Sequence, residues 1–312
     1  MMPPARHTST LVGGIPIHRI GFGAMRMTGT GVWGDPPDRE AARTVLREAV
    51  ALGVDFIDTA DSYGPGVSEE IVAEALHPYP SELLIGTKGG FVRDGPFQWR
   101  ANGRPEHLRE ACEASLRRLR LDTIPLYYLH APDPAVPLEE SMGALSEFRK
   151  EGKILHVGMS NVDRKALEKG QRIVPIAAVQ NRYNLAEREH EDLLRVCEAG
   201  GIAFVTWFPL LRGTLAGRRS LTVKRIAAAH DATPAQIALA WLLHRSPVTV
   251  PIPGTAVLAH LRENVAAAAI ELSSQEMDSL EHFRAPWRVP QPLREAGKRA
   301  FKYLPLLARR SR

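Results

Sequence analysis

What most constrains this chain is an alternation that runs through nearly all of it. Eight short apolar runs lie at 20–25, 54–57, 83–85, Ile124–Leu129, 154–159, 176–179, 202–206 and 248–250, with a segment of helical period between each run and the next. The runs have strand length, and most end at Gly or at a polar residue. Between them apolar residues recur every three or four positions, as at Ala42, Val45, Leu46, Ala49 and Val50, or at Leu108, Cys112, Leu116 and Leu119. Helices are expected over 39–52 (Asp38 as cap, Gly53 as stop), 69–76, Pro105–Leu119, Leu138–Lys150, 163–169, 187–198, 223–229, 234–244 and 258–267. Strands alternating with helices imply a parallel sheet. Eight such units in about 250 residues is the count of a (β/α)8 barrel. The stretch 9–19 predicts a hairpin about Gly13-Gly14 across the barrel bottom. No linker splits the chain, so residues 1–285 are expected to form one domain and 286–312 a basic C-terminal extension.

Composition matters here mainly for what it excludes. The net charge is +5, but residues 284–312 hold nine Arg/Lys against one Glu, which leaves the other 283 residues at about −3. A basic stripe through the body is therefore missing, and nucleic acid is not an expected partner. The tail, with Phe301, Leu304 and Leu307 among its cations, is expected to fray or pack on the barrel and not to bind a membrane. No apolar run approaches a membrane span, and the N-terminus lacks the apolar core of an export signal. A cytoplasmic protein is expected, with Cys112 and Cys197 as reduced core residues. The eleven histidines show no paired metal spacing, so no metal is expected.

The C-terminal strand ends of a closed barrel converge on one mouth, where catalytic groups sit. Here those ends carry Asp58 with Tyr63, then Lys88, His130, Ser160-Asn161, Gln180 and Trp207. A phenol near its free pKa of about 10 exchanges protons poorly at neutral pH, and a nearby ammonium stabilises its phenolate. Lys88 is expected to supply that charge and Asp58 to fix Lys88, while His130 bonds the phenol or orients a carbonyl. Such tuning suits proton transfer coupled to carbonyl reduction. Asn161 and Gln180 can grip a carboxamide, and Trp207 can stack on a planar ring. The G-x-G-x-x-G of 29–34 is a decoy: Asp35-Pro36-Pro37 follows where a dinucleotide fold needs a helix. It reads as a loop at the mouth, with Trp33 facing substrate.

On these residues the chain resembles the aldo-keto reductases from about residue 11 to 280. The motifs are GFGAM (21–25), DTADSYG (58–64), the Lys88 strand end, LHAPDP (129–134), GKILHVGMSN (152–161), VQNRYN (179–184), FPLLRGTL (208–215) and IPGTAVLAHLREN (252–264). The resemblance implies a catalytic tetrad of Asp58, Tyr63, Lys88 and His130, with Tyr63 as general acid in the reduction of an aldehyde or ketone. It implies that Ser160, Asn161 and Gln180 hold a nicotinamide carboxamide and that Trp207 stacks on the ring. It further implies cofactor contacts at Gly23, Met25, Asp58, Phe208, Pro209, Leu210, Arg212, Gly213, Leu215, Ile252, Pro253, Gly254, Thr255, His260, Glu263 and Asn264. Met25, Trp33, Tyr63, Trp99 and His130 would line the substrate pocket. GAMRMTGTGVWGDPPDR and ALAWLLHRSP look most like the bacterial pyridoxal reductase type, which makes pyridoxal or another aromatic aldehyde a candidate substrate. Departures from the family pattern bear on the cofactor. Gly254-Thr255 and His260 stand where many relatives carry cations for the 2′-phosphate, so NADPH is favoured over NADH only narrowly. Trp207-Phe208 replaces the usual Tyr-Ser pair, and Ala131 stands where a larger polar residue is common. The rival readings are a Schiff-base lyase or aldolase using Lys88 and a nicotinamide-binding regulatory subunit without turnover.

Overall fold

The glycine pair at 13–14 has positive φ at both residues (59° and 94°) and turns β1 (Ser9–Val12) back on β2 (Ile15–His18) as an antiparallel hairpin. The computed structural model describes residues 9–211 and 221–283. After the hairpin come β3 (Phe22–Gly23), α1 (Arg39–Ala51), β4 (Phe56–Asp58), α2 (Val67–Leu76) and β5 (Leu84–Gly89). A second hairpin follows, β6 (Phe91–Gly95) and β7 (Gln98–Ala101). Then come α3 (Pro105–Leu119), β8 (Ile124–Leu129), α4 (Leu138–Lys150), β9 (Ile154–Ser160), α5 (Arg164–Gln171) and β10 (Ile176–Arg182). The chain continues with α6 (Glu191–Ala199), β11 (Ala203–Trp207), α7 (Leu221–Ala229), α8 (Pro234–Arg245), β12 (Thr249–Pro251), α9 (Leu258–Ala266) and α10 (Ser274–Glu281).

Eight strands pair in parallel in the order β12-β11-β10-β9-β8-β5-β4-β3. The Gly21 N–H donates to the Pro251 carbonyl at 3.0 Å, which brings the first strand against the last and closes the ring. Beyond that bond the two ends approach so closely that a Cβ on Gly23 would lie 2.8 Å from the Ile252 oxygen, and one on Gly254 2.4 Å from the Gly23 oxygen. Only glycine fits at either position. Along β8 the period of two sends Leu126 and Tyr128 into the barrel lumen, with Phe56, Leu84, Val205 and Val250, and Tyr127 and Leu129 outward against the helices. Val12 and Ile17 of the hairpin join the lumen cluster. His18 donates its N–H to Asp55 just before β4, and Arg19 donates to the Ser246 carbonyl before β12. The hairpin thus plugs the N-terminal end of the barrel and leaves the other end for chemistry.

Several segments differ from the sequence reading for identifiable reasons. The first strand is two residues long, because 24–27 coils into a 3-10 turn. β5 runs on to Gly89, one residue past Lys88, which keeps Lys88 at the C-terminal end of the strand. The hairpin β6–β7 was not expected. The helix foreseen over 187–198 begins at Glu191, since the Asn184 side chain accepts from the N–H groups of Ala186 and Glu187 and folds that stretch into a turn. α10 was also missed, although its Ser273/Glu276 capping box is plain in the sequence. The G-x-G-x-x-G stretch opens no helix. Among the described residues no helix is long and apolar enough to cross a membrane, and no trio of His, Cys, Asp or Glu is placed to hold a metal. The basic extension lies outside the described residues.

Candidate active site

The mouth is built from groups that the strand ends deliver in turn. β4 ends at Asp58, which is 1% exposed, and its neighbour β5 presents Lys88, which is wholly buried. The Lys88 ammonium donates to Asp58 Oδ1 at 2.6 Å and to the Thr59 carbonyl at 2.7 Å. The second oxygen, Asp58 Oδ2, accepts from the Gln180 amide at 2.7 Å. The chain after β4 turns through 59–66, where Asp61 N–H donates to the Lys88 carbonyl and Gly66 N–H to the Asp61 carbonyl. This turn sets the Tyr63 ring 5.1 Å from Lys88 Nζ. His130 follows β8, its N–H held by the Gly89 carbonyl, and its ring meets Tyr63 edge-on at 5.8 Å. The four residues expected to act together therefore converge.

Their electrostatics follow from burial. Burial opposes the charge of Lys88, but Asp58 and Tyr63 outweigh it, so its pKa is raised and the ammonium persists. Burial pushes Asp58 upward against the pull of Lys88 and Gln180. Tyr63 is also raised, by burial first; Lys88 pulls it back and Asp58 adds to the rise. The expected lowering by Lys88 is real, but in the protein alone it is the smaller effect. His130 lies well below its ordinary range, through burial and then through Lys88 and Arg93, so its imidazole is neutral at physiological pH. The Ser62 hydroxyl lies 3.3 Å from His130 Nδ1.

On the opposite side Ser160 ends β9, buried, and Asn161 follows with φ of 58°. The Asn161 amide donates to the His130 carbonyl (3.0 Å) and to Ser160 Oγ (3.1 Å), and its oxygen accepts from Trp207 Nε1 (3.2 Å). Trp207 is half-buried at the end of β11. An aromatic face beside amide and hydroxyl groups on neighbouring strand ends is the donor set that a flat, amide-bearing ring requires. Phe208 stacks near Arg182, 4.4 Å from its guanidinium, with Pro209 buried and Leu210 half-buried behind it. Gly23, Ile252, Pro253 and Gly254 form the closing seam of the barrel, with Met25 exposed above it. Thr255 and Asn264 are buried, and the Thr255 hydroxyl accepts from the Val257 N–H at 3.1 Å, so it is partly spent on its own loop. Glu263 is half-buried and His260 exposed on α9. Arg212, Gly213 and Leu215 lie outside the described residues.

The side of the mouth expected to take substrate is aromatic. Trp99 on β7 meets Tyr63 and His130 edge-on at 6.2 Å each, and Trp33 pairs through its backbone with Gly64. Three residues here escaped the sequence reading: Phe91, 4.6 Å from the His130 ring, Ser62 and Arg93. Phe91 and Arg93 belong to the unforeseen hairpin. For Ser62 the one available signal was its place beside Tyr63.

Comparison with known proteins shows what the chain is similar to. The model of the Aldo/keto reductase family matches residues 19–285. An uncharacterized oxidoreductase of Schizosaccharomyces pombe is 45% identical over 270 residues, which cover 86% of this chain and 88% of that one. Pyridoxine 4-dehydrogenase of Escherichia coli is 42% identical over 272 residues, or 85% and 94% of the two chains. A crystal structure of an aldo-keto reductase from Klebsiella pneumoniae in complex with NADPH superposes with a TM-score of 0.77 at 28% identity, covering 91% of this chain and 98% of the other.

Proposed function

The chain belongs to the aldo/keto reductase family, and from that premise we propose that it reduces an aromatic aldehyde to its alcohol with Tyr63 as the proton donor. It is an NAD(P)H-dependent oxidoreductase acting on small carbonyl compounds. The observation that carries the finer reading is the convergence of a buried phenol, a paired ammonium and a neutral imidazole at one barrel mouth. When bound, the reduced nicotinamide supplies the hydride. The half-buried face of Trp207, with Ser160, Asn161 and Gln180, would hold its ring.

The residues of the chain then divide the remaining work. Tyr63 holds a proton at its Oη and yields it to the carbonyl oxygen, while the Lys88 ammonium stabilises the phenolate left behind. Asp58 and Gln180 keep that ammonium in place. His130, neutral and in contact with Ser62 through Nδ1, presents a hydrogen bond to the carbonyl oxygen without competing for its charge. Trp33, Trp99 and Phe91 favour a planar substrate, and pyridoxal is the candidate suggested by the Escherichia coli relative. We take NADPH as the cofactor, a choice supported by the NADPH-bound Klebsiella neighbour, although His260 and Thr255 offer little fixed charge for a 2′-phosphate. Lys88 as a Schiff-base nucleophile is disfavoured, because Asp58 at 2.6 Å keeps it charged.

The test is NADPH and NADH oxidation with a panel of aldehydes including pyridoxal, alongside fluorescence titration of both cofactors. Tyr63→Phe is expected to abolish carbonyl reduction and to leave cofactor affinity intact. Near-normal turnover by that variant would refute the assignment.

A further inference from the structure

Three separate segments wall the substrate side of the mouth: the loop 28–38 with Trp33, the turn 59–66 with Tyr63, and the hairpin β6–β7 with Trp99. One side chain joins all three. Arg93 on β6, 8% exposed, donates Nε–H to the Gln98 carbonyl (2.8 Å). Its Nη1 donates to the carbonyls of Val32 (2.7 Å) and Ser62 (2.8 Å), and its Nη2 to those of Gly31 (2.8 Å) and Gly95 (3.3 Å). A guanidinium has five N–H donors in a fixed plane, and here each one has a backbone carbonyl. Its Cζ lies 3.7 Å from the centre of the Trp99 ring and 5.7 Å from that of Trp33.

Among the described residues no carboxylate lies within ion-pair distance of Arg93, which differs from Lys88 in this respect. Burying a cation without a counter-ion is costly, and burial lowers its pKa to about 10. Backbone dipoles and two indole faces replace the counter-ion. A purely mechanical staple would not need an unneutralised charge, so that charge calls for its own account. Tyr63 is faced by Lys88 from β5, Asp58 from β4, Asp61 in its own turn, His130 after β8 and Arg93 from β6. Only Lys88 and Arg93 carry charges that favour a phenolate.

We propose that Arg93 is a positioning residue for carbonyl reduction: it locks Trp33, Trp99 and the Ser62-Tyr63 turn into one preformed wall and adds an unneutralised positive charge near the phenol. This rests on the reading of Tyr63 as proton donor. The pocket is then complete before substrate arrives, and the aromatic walls need no ordering on binding.

The test compares full-length wild type, Tyr63→Phe, Arg93→Lys and Arg93→Met for NADPH affinity, for thermal unfolding, and for kcat/KM with an aromatic aldehyde across pH. A lysine keeps the charge but lacks the five-donor fork; methionine lacks both. Both Arg93 variants are expected to lose about 100-fold in kcat/KM while keeping NADPH affinity within roughly threefold. The basic limb of the pH profile is expected to move upward in Arg93→Met and to stay in place in Arg93→Lys. Activity of either variant within roughly threefold of wild type would overturn the positioning role. Loss of NADPH affinity together with activity would also overturn it, by showing a support of the whole fold. Coincident basic limbs in the two variants would overturn the role of the charge. Should Arg93→Met not fold, Arg93→Lys decides the positioning role and a folded Arg93→Gln takes the place of Met for the pH limb. A fully active Tyr63→Phe, or a wild type inactive on every carbonyl, would instead refute the reading of Tyr63 and this proposal with it.

Discussion

Replacing Lys88 by methionine separates the structural from the chemical part of the site, because the two parts respond to a second substitution differently. Lys88 is wholly buried and Asp58 is 1% exposed, so the change strands a carboxylate whose one remaining side-chain donor is Gln180. Removing one partner of a buried ion pair costs about 3–5 kcal/mol. Lys88→Met/Asp58→Asn leaves no stranded charge and is expected to recover most of that loss. Catalysis should not recover with it. At an effective dielectric of about 20, unit charges separated by the 5.1 Å between Nζ and the Tyr63 ring interact by roughly 3 kcal/mol, somewhat over 100-fold in rate. Single-turnover oxidation of bound NADPH by an aldehyde, followed by stopped flow, is therefore expected to slow by about 100- to 1,000-fold in both the single and the double variant. Urea unfolding should show the single variant destabilised and the double restored. A folded double variant that turns over within about tenfold of wild type would refute the idea that Lys88 stabilises phenolate.

Two further perturbations probe the turn that carries Tyr63. Asp61 is pushed from the usual 3.8 up to about 8, by burial first and then by Glu69, and its Oδ1 has no hydrogen-bond partner. The folded chain thus holds a proton between about pH 4 and 8 that the unfolded chain has released, so stability falls as pH rises through that window and levels off above it. Asp61→Asn is expected to flatten this slope and to gain about 1–3 kcal/mol at pH 8; parallel stability curves for the two proteins would contradict it. Ser62→Ala removes the 3.3 Å contact to His130 Nδ1. It is expected to lower kcat about two- to tenfold with NADPH affinity unchanged, as suits the loss of one long hydrogen bond; an unchanged kcat would show that Ser62 does not orient the ring.

The barrel was legible because its period is carried by apolar residues that have no other role. α3, β8 and α4 fall where the pattern placed them, with Leu108, Cys112 and Leu119 buried on one face. Asp58, Lys88, His130 and Asn161 were legible for a related reason: a polar residue at the end of an apolar run is conspicuous. Arg93 was not, because its five acceptors are backbone carbonyls, and a carbonyl has no residue type to read. The hairpin that holds it, FVRDGPFQWR, is short and turns at Gly95-Pro96-Phe97, so its two four- to five-residue strands leave little pattern. The start of α6 was misjudged because Asn184 competes for the N–H groups of Ala186 and Glu187, a local contest that apolar periodicity does not register.

Counting charges around Tyr63 explains why so much polar material is buried here. Lys88 and Arg93 are cationic, Asp58 is paired with the first, His130 is neutral, and Asp61 carries its proton at neutral pH. The sum is close to one positive charge among largely buried side chains. An environment of that sign works against a cationic intermediate and favours negative charge arising on an oxygen. That is what a carbonyl accepting hydride develops, and what the phenol retains once it has given up its proton. A Schiff base on Lys88 would require the ammonium to lose its proton beside Asp58. Under the proposed role of Tyr63, the same charge balance that raises the cost of that route lowers the cost of its proton donation, and both cations, one paired and one unpaired, then favour that single step.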